Sequence, residues 1–437
     1  MPASLRFIDY RTAVLIVIAN MIGTGVFTTL GLQAEGIANS VALLLLWVIG
    51  GVTALCGALC YAELSAAFPR SGGEYHFLSR AFDPVLGQLA GWVSVTVGFA
   101  APVALAAMAL GRYAGTLVAA DPSWIALATV VLITFVHAFD VKFGRGFQTI
   151  ATYLKIAVVV VFCLAGLAIA PVPGSLVRTG NEGLLDVIVS APFALSLIYV
   201  SYAYSGWNAV AYVVDEVDEP QRNVPRALVH GTLIVTLLYV LLNLTFLRTV
   251  AAGDLAGAVE VGALSARNIF GGDSGAIMGF VISLLLVSSI SAMVIAGPRV
   301  LAVIGEDLQA FRFLSLRNAR GAPTRSVLFQ QLIALAFIAT GSFEAVLTFA
   351  GFTLNLFALL TVVGLIRLRF RKPHIHRPFR VPLYPFPPLI FLVVSGTSLV
   401  VVAWQQPVTL AAVLGLLVVG LVFIRRRQQG STAHAVT

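Results

Sequence analysis

Charge is what this chain has least of. Only 11% of its 437 residues are Asp, Glu, Lys or Arg, while 59% are hydrophobic and the mean hydropathy is +0.97. A water-soluble surface needs far more charge than that, so a soluble enzyme with a greasy core is excluded. Long polar loops are missing too. Apolar stretches near 20 residues recur along the whole length, and because they are solidly apolar rather than short and alternating, a membrane β-barrel is excluded as well. Cysteine is scarce. Cys56, Cys60 and Cys163 all lie inside apolar stretches, which leaves no loop thiols for a disulfide framework and no zinc-type spacing. They are expected to pack, and no metal or other cofactor is expected.

The remaining possibility is an all-α integral membrane protein. Apolar runs between charged or Pro/Gly-rich breaks predict twelve transmembrane segments: roughly 12–32, 40–67, 85–112, 123–139, 147–170, 187–214, 227–249, 275–304, 326–341, 344–366, 384–403 and 407–424. The first run is too long, and lacks the A-x-A site, to be a cleavable signal peptide. With the N-terminus inside, 22 of the 27 basic residues fall in inner loops and 4 in outer ones, Lys155 being left inside a span. A miscounted helix would invert every later loop and spoil that asymmetry. The reading is therefore a multi-pass protein of the cell membrane with both termini cytoplasmic. The net charge of +8 sits in inner loops facing an anionic leaflet, so no nucleic acid is needed to explain it.

Two segments are interrupted by glycine. Segment one contains Ile22-Gly23-Thr24-Gly25-Val26-Phe27, and segment six contains Tyr202-Ala203-Tyr204-Ser205-Gly206-Trp207-Asn208. Either motif alone fits close helix packing. Their joint placement says more, because segments one and six would each open a five-helix unit, 1–170 and 171–366, the second inverted relative to the first. Broken helices at matching places of inverted repeats point to a transport site at the membrane midplane. A peripheral pair, 367–424, and a cytoplasmic tail, 425–437, complete the expected organisation.

Counting from the inner boundary puts Gly23, Gly206, Lys155 and Ser288 each 10–12 residues deep. That is roughly 15–18 Å, about half the hydrocarbon core. An unwound backbone there exposes N–H groups at one half-helix end and carbonyls at the other. A zwitterion suits both, its carboxylate at Thr24 and Gly25 and its ammonium at carbonyls of Met21, Tyr202 and Ser205. Lys155, one of only three lysines, is expensive at that depth and therefore expected to work, either as a fixed cation or as a proton-exchanging base. Glu63 is the one carboxylate clearly inside a span. Lying six residues before Pro69, it is expected to reach water or an inner-loop arginine in a structural or gating role. His137 and His230 read as satisfied interfacial histidines. The run Asp215-Glu216-Val217-Asp218-Glu219 with Arg222 and Arg226 reads as an inner-loop ion-pair cluster that closes the cytoplasmic side, or as a merely solvated loop. Tyr202, nearest the second break, is expected to cap a bound substrate.

These residues resemble the amino acid–polyamine–organocation superfamily, and within it the L-type amino acid transporter branch. The resemblance is carried by Gly23-Thr24-Gly25-Val26-Phe27, by Tyr61-Ala62-Glu63-Leu64 through Pro69-Arg70-Ser71-Gly72-Gly73-Glu74-Tyr75, by Tyr204-Ser205-Gly206-Trp207-Asn208 through Pro220-Gln221-Arg222-Asn223-Val224-Pro225-Arg226, and by Arg377-Pro378-Phe379-Arg380-Val381-Pro382. It implies a sodium-coupled amino acid transporter-like fold with a 5+5 inverted repeat, alternating access, and a substrate carboxylate at Gly23 to Gly25. It also implies a gating aromatic at Tyr202. At Lys155 it implies an ammonium standing where related transporters bind sodium, near Ser288 and Ser289. The family's breaks usually read Gly-Ser-Gly and Gly-Gly, so Thr24 and Ser205 depart from it; the bulk of Ser205 favours small neutral amino acids. Animal members pair with a glycoprotein through an outer-loop cysteine before segment four. No such cysteine is present, so no disulfide-linked heavy chain is expected.

Other classes fit less well. A channel needs a continuous polar pore, an intramembrane enzyme needs a nucleophile and base at matching depth, and a receptor needs larger outer loops. The expectation is a sodium-independent exchanger or proton-coupled carrier of small or neutral L-amino acids. The nearest rival is the same fold with a cationic amino acid or amine substrate, which should need a buried acidic or strongly aromatic subsite, and no midplane carboxylate is evident in the sequence.

Overall fold

The computed structural model describes residues 8–434 apart from 116, 119, 140–143, 177–182, 308, 317 and 319–322. Of the basic residues counted above, Arg6, Lys142, Arg178, Arg317 and Arg320 lie outside the described residues, as do 435–437 of the expected tail. Among the described residues the chain is all helix and turn, with one isolated parallel bridge between Ile8 and Val217.

Segment one is α1 (Tyr10–Met21) and α2 (Thr24–Gly36), and segment two is α3 (Ser40–Ala67), followed by a loop helix α4 (Glu74–Ala81). Segment three is α5 (Pro84–Val93), a π-turn at Ser94–Gly98 and α6 (Ala100–Gly115). Next come α7 (Pro122–Phe139), α8 (Gly144–Ala168), the short α9 (Leu184–Ile188) and α10 (Ala191–Ala203). Segment seven is α11 (Pro220–Thr249), followed by α12 (Ala252–Leu255) and α13 (Val261–Phe270) in a loop. The remaining helices are α14 (Ser274–Asp307), α15 (Thr324–Ala339), α16 (Phe343–Arg371), α17 (Phe386–Gln405) and α18 (Pro407–His434). Nine helical stretches among the described residues are long and apolar enough to cross a membrane. Three shorter apolar helices, Pro122–His137, Ala191–Ala203 and Thr324–Ala339, occupy segments four, six and nine.

Helix starts follow local chemistry. Asp9, Asn39, Asp83 and Ser190 accept from backbone N–H groups at the starts of α1, α3, α5 and α10, with Pro in the first turn of the last two. The Thr12 bonds hold the Asp9 carboxyl below the usual carboxylate range. Two expectations need correction. Segment six is helical only to Ala203; beyond it, Ser205 to Asn208 turn, and 3-10 turns at Ala209–Tyr212 and Val214–Glu216 replace the second half-helix. Gly206 sits at φ +97°, and the backbone bonds after it run from residue i+3 to residue i, as in Ala209 N–H to Gly206 (3.0 Å). The sequence from Gly430 to Thr437 reads as a free tail, yet α18 continues to His434 with no proline to stop it.

Packing places the breaks centrally. Helix α11 lies along α3 and α1, α10 contacts α2, α16 and α17, and α14 contacts α6 and α13. At the end of the bundle where α1 begins, Ile8 exchanges backbone bonds with Glu216 and Asp218, and Ser71 both donates to and accepts from Asp215 (3.1 Å each).

Candidate functional site

The two breaks interlock. Helix α1 ends where Ile22 adopts an extended backbone, and α2 restarts after Gly23. A Cβ added at Gly25 would lie 2.5 Å from both the Cα and the Cβ of Ala203, the last residue of α10. A Cβ at Gly206 would lie 2.7 Å from the Asn20 carbonyl oxygen. Glycine is therefore required at each break by the other break. At Gly25 this is a different reason from the one expected: Ala203, not an approaching ligand, fills the space a side chain would take.

Tyr239 of α11 seals the junction. Its hydroxyl donates to the Met21 carbonyl and also lies 3.2 Å from that of Ala203. Its ring meets Trp47 edge-on at 5.6 Å and lies 5.0 Å from Tyr204, whose hydroxyl donates to the Trp47 carbonyl at 2.9 Å. The Tyr202 carbonyl is also taken, accepting the Ser205 N–H at 2.8 Å. Two of the three carbonyls expected to hold an ammonium, those of Met21 and Tyr202, thus already accept hydrogen bonds.

Lys155 is wholly buried, so it does not snorkel. From α8 its ammonium donates to the Ser289 hydroxyl on α14 at 2.8 Å and to the Ile22 carbonyl at 3.3 Å, the carbonyl freed by the first break. Ser289 itself reaches Ile22 at 3.4 Å. Ser288 is not drawn in: its buried hydroxyl has no hydrogen-bond partner among the described residues. One ammonium thus ties three helices at the break.

Beside the break lies a cavity of about 960 Å³. It is lined by α1 up to Asn20, by Tyr202, Ser205 and Gly206, by residues of segments three, eight and ten, and by Phe391 and Ser395 of α17. Met21, Gly23, Thr24, Gly25, Lys155, Ser288, Ser289 and Glu63 do not line it. The structure therefore places Tyr202, Ser205 and Gly206 on the lined space and Met21, Gly25, Lys155 and Ser289 at or beside the junction, while Ser288 and Glu63 join neither.

Glu63 is fully buried and meets arginine, not water. Arg369 contacts it through Nε (2.9 Å) and Nη2, Arg377 Nε approaches at 3.2 Å, and the Val381 N–H donates at 2.8 Å. The acidic run is held differently from the expected cluster. Glu219 pairs with Arg222 at 3.4 Å in an exposed position, while Asp215, Glu216 and Asp218 act through the Ser71 and Ile8 bonds. His137 bonds Ile133 and Ser291, and His230 bonds Tyr10. The three cysteines are buried and free, and no cluster of His, Cys, Asp or Glu among the described residues is suited to a metal.

Sequence reasoning missed two residues. Tyr239 sits in an apolar run where only its hydroxyl distinguishes it from filler. Glu74 lies in a loop motif outside any span, yet it is buried at the cavity wall, where Tyr61 (2.8 Å), Asn208 (2.7 Å) and Tyr212 (2.5 Å) all donate to its carboxylate. Glu74 is thus a buried carboxylate at the cavity wall, and its oxygens already serve three donors.

Comparison with known proteins agrees with this geometry. The chain is 27% identical over 399 residues to the b(0,+)-type amino acid transporter 1 of Mus musculus, covering 88% of this chain and 80% of that one. It is 29% identical over 416 residues to the cystine/glutamate transporter of Homo sapiens (91% and 80%) and 26% over 422 to the large neutral amino acids transporter small subunit 2 of Mus musculus (93% and 78%). The profile of the amino acid permease family matches residues 8–428. With two interlocked helix breaks beside a buried cavity and a family match over nearly its whole length, this multi-pass membrane chain belongs to the amino acid permeases, and is a transporter rather than an enzyme.

Proposed function

We propose that the chain is a sodium-independent carrier of small or neutral L-amino acids that works by alternating access, as an exchanger or with protons. The single observation that carries this reading is the Lys155 ammonium on the Ile22 carbonyl and Ser289. A sodium site at the break needs about six oxygen ligands, and two unit charges ~4 Å apart repel by roughly 4 kcal/mol at an effective dielectric of 20. The lysine supplies the positive charge in place of the ion. The first turn of α2 has no side-chain cap although Thr24 is buried, so the N–H groups at Thr24 and Gly25 suit a substrate carboxylate. Tyr202, which lines the cavity, acts as the gate.

The same reading takes the chain as twelve spans in a 5+5 inverted repeat, both termini cytoplasmic, in the cell membrane. The 22 to 4 split of basic residues supports the orientation, and the broken segments one and six support the repeat. It acts without a disulfide-linked partner, since its three cysteines are all buried. The test is uptake of labelled amino acids into proteoliposomes. Uptake should persist when choline replaces sodium, and its loss there sinks the sodium-independent reading. The rival, a cationic or amine substrate, draws on Glu74 at the cavity wall; competition by arginine or putrescine at concentrations where alanine fails would favour it.

A further inference from the structure

Polar side chains within these helices follow a common habit. Thr348, Thr353 and Thr361 on α16 and Ser398 on α17 each donate to the carbonyl four residues earlier, at 2.7–2.9 Å. Asn20 and Asn243 place their amides in the same way, both at 2.8 Å. Such back-bonds let a polar group settle in an apolar surrounding. Asn355 on α16 and Ser395 on α17 do not follow it. Asn355 is 7% exposed and Ser395 2%, and neither the Asn355 Nδ2 nor the Ser395 Oγ has a hydrogen-bond partner among the described residues.

Both residues line the cavity beside the breaks. Ser395 stands nine residues after Phe386 and Asn355 twelve after Phe343, which puts each roughly 14–18 Å along its helix, near mid-depth. One helical turn before Asn355, Gly351 faces Tyr202, whose Cβ would lie 3.4 Å from a Cβ placed there. One turn before Ser395, Phe391 meets the ring of Trp207 edge-on at 6.3 Å. The two unpaired groups therefore sit next to residues that touch the second break.

A buried polar group without a partner is costly, and a ligand that supplies the partner removes the cost. The Asn355 amide needs an acceptor, and the Ser395 hydroxyl takes either role. An aliphatic side chain leaves both unpaired, an ammonium sets donors against a donor, and a carboxylate brings a buried charge that neither Asn355 nor Ser395 neutralises. A hydroxyl or carboxamide satisfies both. We propose that Asn355 and Ser395 form the side-chain subsite for the transported amino acid, selecting uncharged hydrogen-bonding side chains such as those of serine, threonine and asparagine over aliphatic ones of equal size. This rests on the reading of the chain as an amino acid carrier.

The test is competition against labelled alanine in proteoliposomes, using the isosteric pairs threonine with valine and asparagine with leucine. In the parent, the polar member of each pair should compete about tenfold better. In Asn355→Leu that ratio should fall to near one, and the melting temperature should hold or rise, because an unsatisfied donor has been removed. Ser395→Ala should shift the ratio in the same direction by less, and it decides the matter if Asn355→Leu fails to insert. Unchanged ratios in the variants, or a parent that prefers valine and leucine, overturn the subsite and leave the two groups to bound water. A parent that takes up no amino acid overturns the carrier reading itself, a separate outcome.

Discussion

Lys155 and Ser289 meet at 2.8 Å from helices α8 and α14, 134 positions apart in sequence, with the Ile22 carbonyl of the first break within reach of both. A buried amine held between a hydroxyl and a freed carbonyl makes helix association at the break depend on one side chain. Lys155→Ala should strongly reduce or abolish uptake, and no sodium dependence should be gained from the six-ligand environment it leaves incomplete. Uptake by the parent and the variant, measured in sodium and in choline, checks this. If uptake follows an imposed proton gradient in the parent and loses that dependence in the variant, the lysine carries the proton.

Gly23 and Gly25 should separate binding from packing. A Cβ at Gly25 would meet the Ala203 backbone, so Gly25→Ala should destabilise the fold by roughly 1–3 kcal/mol as well as impair uptake. A Cβ at Gly23 has only the Met21 carbonyl oxygen near it, at 3.9 Å, so Gly23→Ala should insert and melt like the parent. If it nevertheless loses uptake, the ligand approaches there. Normal uptake by Gly23→Ala would move the carboxylate site elsewhere.

Tyr239→Phe keeps the rings against Trp47 and Tyr204 but leaves the Met21 carbonyl unpaired, at a cost of about 1–3 kcal/mol. Uptake should drop while protein yield changes little. A variant as active as the parent would show that the hydroxyl is dispensable at the junction.

For Tyr202 the ring, not the hydroxyl, should matter. Tyr202→Ala should raise the apparent KM for uptake or uncouple the gate, and Tyr202→Phe should stay near normal. Loss in the Phe variant would assign the role to the hydroxyl.

Glu63→Gln strips the charge from a buried site that faces both Arg369 and Arg377. Breaking such a cluster costs about 3 kcal/mol, and the melting temperature in detergent should fall accordingly. Preserved stability with lost uptake would make the cluster a gate instead of a brace.

What the sequence determined by itself is whatever follows from the local pattern. Hydropathy is additive along a run of ~20 residues, so the membrane class and the apolar helices were legible, and Gly23 and Gly206 marked the breaks because glycine weakens a helix wherever it stands. The place of Lys155 inside an apolar helix was legible in the same way. The tertiary structure decided everything that depends on which helices meet. Glu74 read as a loop carboxylate until Tyr61, Asn208 and Tyr212 converged on it, and Tyr239 read as apolar filler until it reached Met21. Gly25 was legible as a necessary glycine, but its neighbour Ala203 was not. The half of segment six after Gly206 read as helix because its composition is apolar. It turns instead, since Gly206 at positive φ breaks the ladder and Asn208 donates its side chain to Glu74, a partner 134 residues away that no local pattern encodes.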